Sequence, residues 1–189
     1  EEQANNDGTH VSEKIGWIAI EAGSGTAGDV SWLAGSASGI KDANSSVALG
    51  ASVDGGANVI AALSSFKGID PAWARGNGST ETTFDVSVEE EQSRDGETAH
   101  IAETVDYFVF NDTGTLSAAP LQDVLETGTL SLQHTVQTVT LQRSYDDPVG
   151  VAFVATEKGE QPVNVRINDI SGDTLTLQLQ EPDYLDGWH

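Results

Sequence analysis

The 189-residue chain sets 30 Asp and Glu against 8 Lys and Arg, for a formal net charge of -22 and a pI near 4.1. Nothing in such a chain can neutralise phosphates, which excludes nucleic acid as a partner; the absence of Cys removes disulfides, thiolate chemistry and soft-metal sites. No apolar run approaches the roughly 20 residues of a membrane helix, and 38% hydrophobic residues with scattered acids predict a folded chain rather than a disordered one.

Self-repulsion of this size is relieved in brine, because the Debye length shrinks to about 3 Å at 1 M salt. The composition predicts a halophile's protein. The absence of Met predicts that Glu1 follows a cleaved leader. With the sequons at Asn44, Asn77 and Asn111 as glycosylation candidates, it points to an extracellular, cell-surface location.

In chain order, the first element is a strand over residues 10–23, with Ile15, Trp17, Ile18 and Ile20 as its apolar residues. It opens on His10, Glu13 and Trp17, a spacing that returns as His100, Glu103 and Tyr107 and begins again at His189. Strands follow at 28–34 and 46–52, and Phe84, Val86 and Val88 alternate with polar residues, the period of two that puts one face on a core. Residues 111–128 read as a linker holding the one helical candidate, 120–126, with Pro at its first position and Gly128 beyond its end. Beyond it, strands are predicted at 129–133 and 136–142, through Val149, Val151 and Phe153, through Val163, Val165 and Ile167, and through Leu175, Leu177 and Leu179.

The later elements repeat the earlier ones. Lys67, Gly68, Pro71 and Arg75 lie over Lys158, Gly159, Pro162 and Arg166 at one constant offset of 91. A tandem repeat of about ninety residues follows. The fold expected is all-β: two antiparallel sandwiches, with 1–23 as tail and orphan strand, 24–110 as the first repeat, 111–128 as linker and 129–189 as the second repeat without its last strand.

Residues 138–181 resemble the H-type lectin domain, a small antiparallel β-sandwich. Tyr145 and Pro148 match its aromatic-x-x-Pro turn, Arg166 and Asn168 its middle strand, and Val105 to Val109 its closing strand. The first repeat departs from that pattern, with Gly76-Asn77-Gly78 where the second has Ile167-Asn168-Asp169. The resemblance implies galactosamine-type sugar binding and oligomers.

An open sandwich exposes unpaired backbone and apolar core, and something must fill it. Three arrangements are open. The strand at 10–23 closes the second repeat of its own chain, enters that of a neighbour and propagates a filament, or belongs to a longer array of which this chain is a piece.

Other constellations have bland readings beside the sharp ones. Gly23, Gly25 and Gly28 fit a dinucleotide fingerprint in spacing but precede strand-like sequence instead of a helix. The His-x-x-Glu pairs are expected to face opposite ways on a strand, and read better as a repeated structural corner than as zinc ligands. Glu181, Asp183 and Asp186, partly mirrored by Glu90 and Asp95, are candidates for a calcium site with loop carbonyls, or solvated acids of a salt-adapted surface. Trp32, Trp73 and Trp188 can stack on sugar rings or serve the core. The four His, at 10, 100, 134 and 189, are largely accounted for by the repeat, leaving no catalytic triad. The expectation is a non-enzymatic subunit of a surface filament whose partners are copies of itself; the alternative is a lectin-like module that binds surface glycans without polymerising.

Overall fold

The computed structural model describes residues 20, 22–28, 30–53, 57–68, 70–93, 96–111, 114–118, 121–146, 148, 150–159 and 162–180. Among the described residues the regular structure is entirely β, in eleven strands with antiparallel pairing throughout. The all-β expectation holds.

In the first half, β1 (Gly23–Ala27), β2 (Val30–Ile40), β4 (Ala57–Leu63) and β7 (Glu103–Asn111) form a sheet in the order β1-β2-β7-β4. A second sheet, β3-β6-β5, joins β3 (Ser45–Ala48), β6 (Thr83–Glu90) and β5 (Ala72–Ser79). One core lies between them. Leu33, Val59, Val105, Tyr107 and Val109 from the first sheet pack with Ala74, Phe84, Val86 and Val88 from the second. The alternation of apolar and polar residues along β6 dictates this, since every second side chain turns to the same face.

The Phe84 and Tyr107 rings meet at 4.9 Å between centroids, tilted by 58°, a geometry worth about 0.5–1.5 kcal/mol beyond its buried area. Tyr107 also explains Gly35, its cross-strand partner on β2. A Cβ there would stand 2.5 Å from the Tyr107 hydroxyl. Gly39, at φ 82°, occupies the bulge that shifts the β2–β7 register between Ser38 and Ile40, a conformation costly to any residue with a Cβ.

The second half contains two pairs. β8 (Gly114–Ala118) pairs with β9 (Leu121–Thr127), and β10 (Gln137–Tyr145) with β11 (Asn164–Gln180). β11 doubles back on itself at Gly172, which takes φ 55°. Arg166 Nη1 donates to Gln180 Oε1 at 3.3 Å, and Thr176 Oγ1 to the Asp169 carbonyl at 3.3 Å. A straight strand would hold the first pair roughly 45 Å apart.

Three expectations need correction. The helix at 120–126 is instead strand β9: the end signals of Pro120 and Gly128 yield to antiparallel pairing with β8. Residues 129–133 form no strand. Nor do residues 150–156, because Phe153 packs on the core of the first half and Val154 bonds to β5.

Candidate functional site: the covered edge of β5 and the Glu103 corner

β5 is the outer strand of its sheet, and an outer strand leaves a row of backbone groups without partners. The second half covers that row. Gly76 N–H donates to the Val154 carbonyl at 2.9 Å. Glycine is required at this approach, since a Cβ on Gly76 would stand 2.7 Å from the Phe153 ring and 2.8 Å from the Ala155 Cα.

Beside it lies a buried ion pair. Arg75 is 2% exposed, and its guanidinium bonds Glu89 at 3.0 Å, the Thr156 carbonyl at 3.2 Å and the Val163 carbonyl at 3.3 Å. Glu89 in turn accepts from Trp73 Nε1 at 2.7 Å and from the Val163 N–H at 3.3 Å. Burial pushes the Glu89 carboxyl above its ordinary value, against the opposing pull of Arg75 and these donors. The arrangement ties Thr156 and Val163 to both strands of the β5–β6 hairpin through a buried charge that keeps its partners.

The second constellation is the His-x-x-Glu corner. His100 stands in the non-strand stretch before β7 and Glu103 is its first residue. The opposed facing expected of strand positions does not apply, so His100 Nε2 lies 3.4 Å from Glu103 while its Nδ1 lies 2.6 Å from Glu90 at the end of β6. Glu103 also accepts the Lys67 and Gly68 N–H groups at 2.7 and 2.9 Å, and the Ser65 hydroxyl. Ser65 Oγ receives the Thr104 N–H at 2.7 Å. Burial pushes the Glu103 carboxyl up, but Ser65, the Gly68 and Lys67 N–H groups and His100 together win and hold it at about 2. A Cβ on Gly68 would come within 2.4 Å of the imidazole, so the loop can pass the histidine only as glycine.

Chemically, this is a clamp. All three side chains are buried, each carboxylate is spent on donors of the same fold, and no three His, Asp or Glu side chains among the described residues are placed to hold a metal ion together. Its by-product is an exposed apolar pair: the pinned loop carries Phe66 at 84% exposure, and Ile101 follows His100 at 56%. Sequence reading missed both, because an isolated aromatic gives no signal of its surroundings. A hollow of about 200 Å³ between β1, β2 and residues 49–51 has Ser24 and Tyr107 as its polar side chains.

The remaining candidates are dispersed. Trp32, on β2, lies over its cross-strand partner Gly25, where a Cβ would stand 3.0 Å from Nε1. Trp73, on β5, has its indole N–H committed to Glu89. The two tryptophans belong to different sheets. Ile20 is 44% exposed. Ile15, Trp17, Ile18, Glu181, Asp183, Asp186 and Trp188, together with His10, Glu13 and Asp95, lie outside the described residues.

No protein-family profile matches the chain, and no solved structure matches it. Over 206 aligned residues the chain is 27% identical to Halomucin of Haloquadratum walsbyi (strain DSM 16790 / HBSQ001). The match takes in 97% of this chain and 2% of Halomucin, so the similarity is to one small part of a very long protein.

Proposed function

We propose that this chain is a non-enzymatic structural element of a halophile's extracellular surface, built from two β units of about ninety residues. Copies are joined head to tail by strand donation. The observation that carries the reading is the recurrence of pairing. Ala27↔Val30 in β1–β2 returns at an offset of 91 as Ala118↔Leu121 in β8–β9, and the β3–β6 pairing returns as β10–β11 with its register moved by one residue, Thr138 facing Thr176 where the offset would set Gln137. The Arg75–Glu89 contact returns at the same offset as Arg166–Gln180. Residues 111–128 then belong to the second unit as its opening hairpin.

In the first unit β7 is a central strand, bonded to β2 on one side and β4 on the other. The counterpart of β2 is β9. The counterpart of β4, around residues 148–154, turns away toward β5. Between these two the second unit takes a β7-type strand, and residues 10–23 repeat the β7 sequence at His10, Glu13 and Trp17. Donated to another copy, that segment gives a heterologous contact that propagates. In brine the net charge of -22 is screened, so that copies can approach and join. The similarity to part of Halomucin is compatible with a surface protein of a halophile.

Light scattering and negative-stain images in molar salt test this. The full chain should form filaments, and removal of residues 1–20, which spares β1, should abolish them. Filaments that survive the deletion would overturn donation by this segment.

A further inference from the structure

The three sequons sit in unlike surroundings, and we infer that Asn44 is the one that carries an N-linked sugar. This concerns what the surface bears and stands apart from the assembly reading. Asn44 ends the exposed stretch 41–44, immediately before β3, and the Ser46 of its sequon is exposed as well. Its side-chain carbonyl accepts from Asn77 Nδ2 at 2.9 Å, which uses the oxygen and not the nitrogen that a sugar would join. An N-glycosylated amide keeps that carbonyl, so the modification leaves the hydrogen bond in place.

Asn77 is built the other way. Its Nδ2 donates to both Asn44 and Ser87, at 2.9 and 3.3 Å, so a sugar would replace one of two committed N–H groups. Its Oδ1 is buried, and the Ser79 hydroxyl that completes its sequon donates to the Ala57 carbonyl at 2.7 Å. Asn111 also engages its carbonyl oxygen, with the Ser31 N–H at 2.7 Å, but it is half-buried and closes β7 in the pairing with Ala57, where Asn44 is exposed and outside any strand.

The reaction needs a glycosyltransferase and a phosphate-activated sugar on a lipid carrier. A bond forms between Asn44 Nδ2 and the anomeric carbon, the bond from that carbon to the phosphate oxygen breaks with its electrons leaving on the lipid phosphate, and the displaced amide proton passes to a base of the transferase. The location has a physical use. The sheet β3-β6-β5 has two outer strands; β5 is covered by residues 154–156, and a bulky hydrated sugar before β3 shields the other.

Trypsin separates the sequons, since cleavage after Lys41, Lys67, Arg75, Arg94 and Arg143 puts them in peptides 42–67, 76–94 and 95–143. The full chain is secreted from a halophilic host that glycosylates a control Asn-X-Ser/Thr protein, then digested and weighed. The expected result is added hexose mass on peptide 42–67 alone, lost completely in both Asn44→Gln and Ser46→Ala. Ser46→Ala keeps the Asn44 carbonyl for Asn77, so loss there reports the sequon and not the fold. Sugar on either other peptide, or none on 42–67, overturns the assignment.

Discussion

The two halves both carry antiparallel strand pairs and differ in what those pairs bury. In the first, Phe84, Val86 and Val88 are at most 2% exposed, beneath Val105 and Val109 of β7. Their counterparts Leu175, Leu177 and Leu179 are as apolar, yet Leu177 alone is buried. The amino acids on this strand are equivalent, and the difference lies in the opposing sheet. A central strand such as β7 supplies the second wall without which an alternating strand cannot hide its apolar face. The second comparison is at the edges. Arg75 and Gly76 of β5 receive Val154, Thr156 and Val163, whereas Ile167 stands at the position of Gly76 and Gln180 at that of Glu89. The β5 type of docking is thereby confined to the first half.

Substitutions at matched positions break this comparison in order of size. Phe84→Ala should cost about 3–5 kcal/mol in a denaturant melt, while Leu175→Ala should cost below about 2 kcal/mol because its site is already half open. Arg75→Ala should cost about 3 kcal/mol or more by stranding Glu89 beside Trp73. Arg166→Ala, at an exposed residue bonded to a neutral amide, should stay within about 0.5 kcal/mol. Equal losses at the paired positions would mean that the halves are built alike.

The Glu103 corner sharpens the comparison through pH. The folded carboxyl is held at about 2 against an ordinary 4.5, so its ionised form is favoured by folding. That contribution is fully present above about pH 4.5 and is lost as pH falls through 2. Glu103→Gln should cost about 1.5–3 kcal/mol at neutral pH, from hydrogen bonds to a charged group, and the gap to the parent should close on acidification. A gap that is flat down to pH 2 would contradict the clamp.

The sequence made some of this legible and hid the rest for physical reasons. The alternation in β6 led to its strand, and of the four residues at the constant offset Lys67 and Gly68 line the Glu103 corner and Arg75 makes the ion pair. The same offset laid over residues 114–127 marks the β8–β9 hairpin; the local signals of Pro120 and Gly128 pointed instead to a helix, because hairpin pairing is set by a partner outside any short window. The docking of Phe153 was invisible for a similar reason. An apolar alternation predicts a buried face and says nothing about which core will receive it.

The most direct test of the central claim, that the second unit takes a β7-type strand, is amide hydrogen exchange in molar salt on the chain lacking residues 1–20, with and without a synthetic peptide of residues 10–23. The account predicts that the peptide raises protection across 121–127, 137–145 and 164–180 by at least about tenfold and leaves β2, β6 and β7 unchanged. Unchanged exchange in the second half at saturating peptide would contradict it.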